Sequence, residues 1–233
     1  MSSADFNSRR PRPGRPRHIP ASETRADPRE HILAVAGRLF VDRSYAGTST
    51  RHIAEAVGIR QASLYYHFAG KPGILAELLE MTVRPALDIV GDLGQMESPE
   101  AALYLLAFHD SRSLARLPHN IGMLPRCPDV AATPEARDYA AVRRELQETY
   151  GSLGFACGST DVTETIALLQ LGELILDLVE SVIGTRASGD AVTTGDLRAI
   201  AASSLRVCGV PQAQIEVAEK VAAAALDGPA QSS

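Results

Sequence analysis

Apolar residues recur along most of this chain at three- and four-residue spacing, and no run of alternating β-branched residues competes with that period. The first stripe opens behind Asp27-Pro28-Arg29-Glu30, where Asp can cap orphan amides, Pro suits the first helical position and Glu completes a capping box. Ile32, Leu33, Ala36, Leu39 and Phe40 follow on one face and predict a first helix. Thr48 is the expected cap of a short second helix bearing Ile53, Ala54 and Val57 and closed by Gly58. A third, over 61–67, turns Leu64 and Phe68 inward at i, i+4. A fourth starts near Lys71-Pro72, buries Ile74, Leu75, Leu78 and Leu79, and is expected to kink or end at Pro85. Further helices are expected over 99–117, 134–153, 161–183, 195–208 and 211–226, with Thr193 and Asp196 as another opening pair. The stretch 118–133, with three prolines, is the least regular and has room for a short helix. The fold class is all-α, with no internal repeat.

Composition narrows the class. With 45% apolar and 22% charged residues the chain reads as an ordinary globular protein, which argues against disorder, collagen and coiled coil. No run approaches about 20 apolar residues, so no membrane span is expected. Five arginines in the first 17 residues lack the apolar segment of a secretory signal. Cys127, Cys157 and Cys208 are odd in number and widely spaced, which suggests reduced thiols, a cytoplasmic setting and neither a disulfide frame nor a zinc clip.

Charge changes the picture more. The formal net charge of −5 hides a basic head and an acidic body: residues 1–71 carry 12 Lys and Arg against 6 Asp and Glu. The remaining residues carry 11 against 22. Such a head is suited to a polyanion and such a body is not.

The stretch TSTRHIAEAVGIRQASLYYHFAGK, residues 48–71, has the form of a helix-turn-helix, two short helices about a tight turn at Gly58. The pair holds its second helix rigidly enough for the outer face to enter a major groove. That face would carry Arg60, Gln61, Ser63, Tyr66 and His67. Arg can bond guanine and Gln adenine in bidentate fashion. Tyr65, Tyr66, His67 and Lys71 suit phosphate oxygens, which fix register without reading sequence. Thr48, at the helix start, can offer its hydroxyl and nearby amides to a phosphate. Taken singly, Tyr65 also reads as a core aromatic and Lys71 as a solvated charge. His52 reads as an exposed helix residue.

From Arg29 to Leu79 the order of these features resembles the TetR family of bacterial transcriptional regulators: an apolar first helix ending in LF, then IAEAVGI, SLYYHF, and Lys followed by IL. The match covers about a fifth of the chain. It implies a homodimer whose first three helices bind a double-stranded DNA operator, with repression as the default mode. The remaining helices would form an effector-binding and dimerisation body for an unknown small molecule. By position the family's DNA contacts fall on Thr48, Arg60, Gln61, Ala62, Ser63, Tyr65, Tyr66, His67 and Lys71. Arg60 departs from the small polar cap usual there, which weakens the cap by about 1 kcal/mol and adds a charge at the groove. The expected organisation is a basic arm over 1–24, the helix-turn-helix domain over 25–71, the body over 72–227 and a tail over 228–233. In the arm, Pro13-Gly14-Arg15-Pro16-Arg17 resembles the Gly-Arg-Pro core of AT-hook peptides. Arg15 and Arg17 are therefore either minor-groove contacts or part of a solvated basic tail.

In the body, residues 161–183 are apolar nearly all round and must bury two faces. Leu197, Ile200, Ala201, Ser204, Leu205 and Cys208 give 195–208 an apolar side. The resemblance implies that these two helices pair with their copies in the dimer. Gln170, Glu173, Asp177 and Glu180 form a polar stripe on the first of them, read as a solvated or interfacial seam. In the sharper reading Glu173 or Asp177 faces a pocket and pairs with Arg112 or Arg143, with Phe108, His109, Met123 and Tyr139 lining it. Pro85 is the expected hinge between head and body. An all-α ligand-binding enzyme and a non-specific architectural DNA protein are the competing readings. The chain has no GxSxG elbow, phosphate loop or HExxH motif, and no cofactor or metal is expected.

Overall fold

A computed structural model describes residues 27–227, and every regular element among them is helical. The arm with Arg15 and Arg17, and the tail, lie outside the described residues. Helix α1 (Pro28–Arg43) is capped by Asp27, whose carboxylate accepts the Arg29 amide at 2.9 Å. Helix α2 (Thr50–Val57) begins one residue later than the sequence suggests. Its cap is Ser49, which accepts the His52 amide at 3.2 Å while His52 Nδ1 accepts the Ser49 amide at 3.3 Å. Gly58 ends it at φ +80°, a left-handed position that glycine occupies without penalty. Helix α3 (Gln61–His67) follows, with no side-chain cap at Arg60.

Helix α4 (Lys71–Glu80) stops before Pro85, which lies instead in the first turn of the short α5 (Arg84–Asp88). Pro85 therefore starts a helix and kinks none, since a first-turn proline has no amide to lose. The break falls at 81–83. After α6 (Val90–Leu93), helix α7 (Pro99–Arg116) forms the centre of the body and packs on four later helices. A 3-10 segment, Pro118–Arg126, broken by positive φ at His119 and Asn120, and α8 (Pro128–Ala131) fill the proline-rich stretch. Helix α9 (Pro134–Cys157) runs past its expected end at 153.

The single helix expected over 161–183 is two: α10 (Thr160–Thr165) and α11 (Leu168–Ala187). Ile166 and Ala167 take extended backbone angles between them, and the Gln170 side chain accepts the Ala167 amide at 3.3 Å to start the second. The Val and Thr residues of α10 favour such a break, being stiff at χ1. Helices α12 (Thr194–Val207), opened by the reciprocal Thr193–Asp196 cap, and α13 (Gln212–Asp227) are the last elements among the described residues.

Head and body share one buried apolar cluster. In the head, Ile32, Ala36, Phe40, Ile53 and Leu64 close over each other, and Leu75, Leu78 and Leu79 of α4 carry the core onward. In the body, α9 and α11 approach until backbones touch. A Cβ on Gly172 would lie 2.1 Å from the Gln147 carbonyl oxygen, so only glycine fits. No helix among the described residues is long and apolar enough to cross a membrane.

Candidate nucleic-acid interface and body cavity

Helix α3 has one anchored face and one free face. Leu64 is fully buried and Phe68 nearly so, which fixes the helix's rotation about its axis. The opposite face then turns Gln61, Ala62, Ser63, Tyr65 and Tyr66 to solvent, with Arg60 exposed at its start and His67 half-buried at its end. Tyr66 is 87% exposed and Tyr65 54%, so Tyr65 is no core aromatic. Gln61 Nε2 donates to Thr50 Oγ1 at 2.9 Å, and the Tyr65 hydroxyl lies 3.4 Å from the same oxygen. Thr50, which sequence reading did not single out, thus pre-orients two of the side chains on the free face. His52 is exposed, as expected.

Two expected phosphate contacts are engaged elsewhere. Thr48 is buried, and its hydroxyl donates to the Leu39 and Ser44 carbonyls at 3.2 and 2.9 Å. It ties the end of α1 to the start of α2, while adjacent Ser49 takes the capping role. Lys71 Nζ donates to the Tyr45 carbonyl at 2.9 Å and sits 4.0 Å from the centre of the Tyr45 ring. Burial lowers its pKa, and the Asp129 carboxylate acts in the opposite direction. Its charge holds the α1–α2 loop rather than standing free. Arg29 makes a second clamp that no local pattern revealed: it pairs with Glu77, donates to the His67 carbonyl at 2.7 Å and lies 4.3 Å from the Phe68 ring centre. It locks the end of α3 to α1 and α4.

The body forms a half-open cavity of about 460 Å³ between α7, the 3-10 segment, α9 and α11. Tyr139, Arg143, Glu173 and Asp177 of the expected set line it. Arg143 grips Glu173 with two bonds of 3.1 Å and Glu180 with one of 3.0 Å, and Arg126 reaches Glu180 at 2.6 Å. The remaining candidates are placed elsewhere. Phe108 and Arg112 line a separate cavity of about 570 Å³ between α7, α12 and α13, because they leave α7 on its other side. His109 lines neither; its Nδ1 is buried without a partner, and burial and Arg112 lower its pKa. Met123 also lines neither and is 36% exposed.

Sequence reading missed Asp110. It is 1% exposed at the cavity wall, where its Oδ2 accepts the hydroxyl of fully buried Tyr150 at 2.9 Å. Desolvation raises its pKa to about 7, against the smaller lowering effects of Tyr150 and Arg143. The one signal in the sequence is a carboxylate set among the apolar positions of α7. The apolar side of α12 named from sequence is turned inward, with Leu197, Ala201, Ser204, Leu205 and Cys208 all buried. Helix α11 leaves Leu174 45% exposed, to one side of its buried Leu171, Ile175 and Val179. Among the described residues no group of three or more His, Cys, Asp or Glu could hold a metal ion.

This is an all-helical protein with a helix-turn-helix head on a helical body that holds cavities. Residues 32–78 match the family described as bacterial regulatory proteins, tetR family. The chain is 39% identical over 54 residues to the HTH-type transcriptional regulator AcrR of Shigella flexneri, covering 23% of this chain and 25% of that protein. It is 39% identical over 62 residues to the HTH-type transcriptional repressor KstR2 of Rhodococcus jostii, covering 26% and 30%. These aligned stretches span less than a third of either relative. The crystal structure of Mycobacterium smegmatis AmtR is similar throughout, with 33% identity, a TM-score of 0.73, and 86% of this chain and 96% of that one covered. The chain belongs to the TetR family of bacterial transcriptional regulators.

Proposed function

We propose that this protein is a ligand-responsive repressor that binds a near-palindromic operator as a homodimer, each copy placing α3 in a major groove. The observation that carries the reading is the free face of α3, polar and aromatic, set over a fully buried Leu64. In this reading Gln61 reads base edges, its amide pre-oriented by Thr50. Arg60, Ser63, Tyr65, Tyr66 and His67 divide between bases and phosphates, Ala62 lies against them, and Thr48 and Lys71 act indirectly by holding the loop before α2. The head spans 25–71 and the body 72–227. Two copies meet through the outer faces of α11, at Leu174, Leu178 and Ser181, and of α12, at Ala199 and Ser203. One recognition helix reads too few bases for genomic specificity, and a twofold pair doubles the site.

The 460 Å³ cavity is the effector site in this reading. Its signal leaves through the 3-10 segment. On the body side Asn120 donates to the Ile183 carbonyl at 3.0 Å and receives Arg186 at 3.2 Å. On the head side the segment packs against α1, and Asp129 beyond it accepts the Ala46 amide at 2.7 Å. A ligand that favours one placement of this segment shifts the spacing of the two recognition helices and releases the operator. Selection of genomic fragments by the purified chain tests the reading. An enriched near-palindrome supports it, and equal retention of all fragments overturns it.

A further inference from the structure

The lining of the 460 Å³ cavity is not balanced in charge. Its three cations are all paired: Arg143 with Glu173 and Glu180, Arg126 with Glu180, and Arg144 with Glu148. Two of its four carboxylates, Glu173 and Glu180, are thereby answered. Asp110 and Asp177 have no cationic partner within 4.0 Å among the described residues. Asp177 is exposed and solvated, whereas Asp110 is 1% exposed. Asp110 receives one neutral hydrogen bond, at Oδ2 from Tyr150, and its other oxygen has no donor among the described residues. Burying a carboxylate on such terms is costly, and replacing it by a neutral isostere would relieve the cost. The groups that face it are Tyr150 and Arg143 of α9 and Glu180 of α11.

We propose that the cavity binds an organic cation, its ammonium or amidinium nitrogen seated against the unpartnered oxygen of Asp110. The inference rests on the cavity being the effector site. Leu114, Leu146, Leu176 and Ile183 supply an apolar wall and Tyr139 an aromatic one, which suit a carbon skeleton. A bare metal ion would need several converging oxygen ligands, and no such group exists among the described residues. An anionic ligand would have to break the paired Arg143 and then lie among four carboxylates. A cation instead supplies the one charge the wall lacks. The volume is within the range of small-molecule sites, about 300–1,000 Å³.

Calorimetric titration of the full chain at pH 8, without DNA, tests the proposal. The probes are benzylamine, phenethylamine and phenylbutylamine, each beside the alcohol and the carboxylate of the same skeleton. The best-fitting amine is expected to bind at least about tenfold more tightly than its alcohol and its carboxylate. Asp110→Asn, checked for folding by its melting temperature, removes that preference, and Asp190→Asn, at an exposed carboxylate outside the cavity lining, keeps it. An alcohol or carboxylate that binds as tightly as its amine overturns the proposal. So does the absence of amine binding at every length, or a preference that survives Asp110→Asn. Fragment selection on ligand-free protein is scored separately. Amine preference without DNA selection leaves the cation site standing and removes the regulator reading, and the converse result does the opposite.

Discussion

Head and body solve different problems with the same element. The head uses three helices, the last two short, and a small core to hold one surface outward, and everything specific about α3 lies on its exposed face. The body wraps long helices around α7 and keeps its specific chemistry inside, at a cavity wall built from segments 30 and 40 residues apart in the chain. The comparisons follow a similar division: the family match lies at residues 32–78, whereas the similarity to the AmtR structure covers 86% of the chain. A reading surface tolerates little change in its scaffold, because a rotation of α3 about Leu64 would redirect every side chain it presents. A recessed site can be re-lined one residue at a time.

The largest effect is expected where the body's backbones touch. Gly172→Ala forces a methyl into the Gln147 carbonyl and should destabilise the fold by about 3 kcal/mol or more, read from urea unfolding. A loss under about 1 kcal/mol would mean that α9 and α11 are not in such close contact. Next is Asp110. Its carboxyl is held near pH 7 in the folded state against an ordinary 3.8, so the proton is bound more tightly when folded. Stability from that proton is fully present below about pH 4 and is lost as pH rises through about 7. Asp110→Asn should therefore gain a few kcal/mol relative to wild type between pH 4 and pH 8, at roughly 1.4 kcal/mol for each tenfold difference in proton affinity between the folded and unfolded chains. Melting curves across that range that stay parallel would contradict it.

The head should respond differently, in binding more than in stability. Gln61→Ala is expected to relax preference at one base pair by about 1–3 kcal/mol while leaving the fold intact, as measured by titrating operator variants. Uniform weakening of all sequences would remove its base-reading role. Ser49→Ala should cost about 1 kcal/mol of stability by removing the α2 cap, visible as a lower melting temperature. Tyr66→Ala should have the smallest effect on the fold and weaken all duplexes alike, with little change in which sequence is preferred.

Much of the head was legible because its determinants are local. The Asp27 cap, the Gly58 turn and the stripe through Leu64 are read within a few residues of one another. The exchange of roles between Thr48 and Ser49 was not, since both residue types cap helices. Their assignment is decided by the Leu39 carbonyl that takes the Thr48 hydroxyl. Lys71 shows the same limit: its place at the start of α4 is local, but Tyr45, which turns its charge inward, lies 26 residues earlier. In the body the polar stripe on α11 leaves open whether Glu173 or Asp177 meets Arg112 or Arg143, and the structure pairs Arg143 with Glu173. Phe108 and Arg112 line a different cavity from the rest of the set, because periodicity places residues on a helix without saying which neighbour each face meets. The role of Asp110 is hidden for the same reason, as its partner Tyr150 comes 40 residues later. The division of 161–183 shows that apolar content alone does not keep a helix continuous through β-branched residues.

The regulator reading stands on two copies of α3 engaging one operator together. Hydroxyl-radical footprinting of a selected genomic fragment, with the mass of the same complex measured in solution, decides whether they do. Two protected half-sites related by a twofold axis are predicted, about 34–36 Å or a multiple apart, with an even number of chains bound. A single protected half-site under one chain, or equal protection of unrelated duplexes, would contradict it.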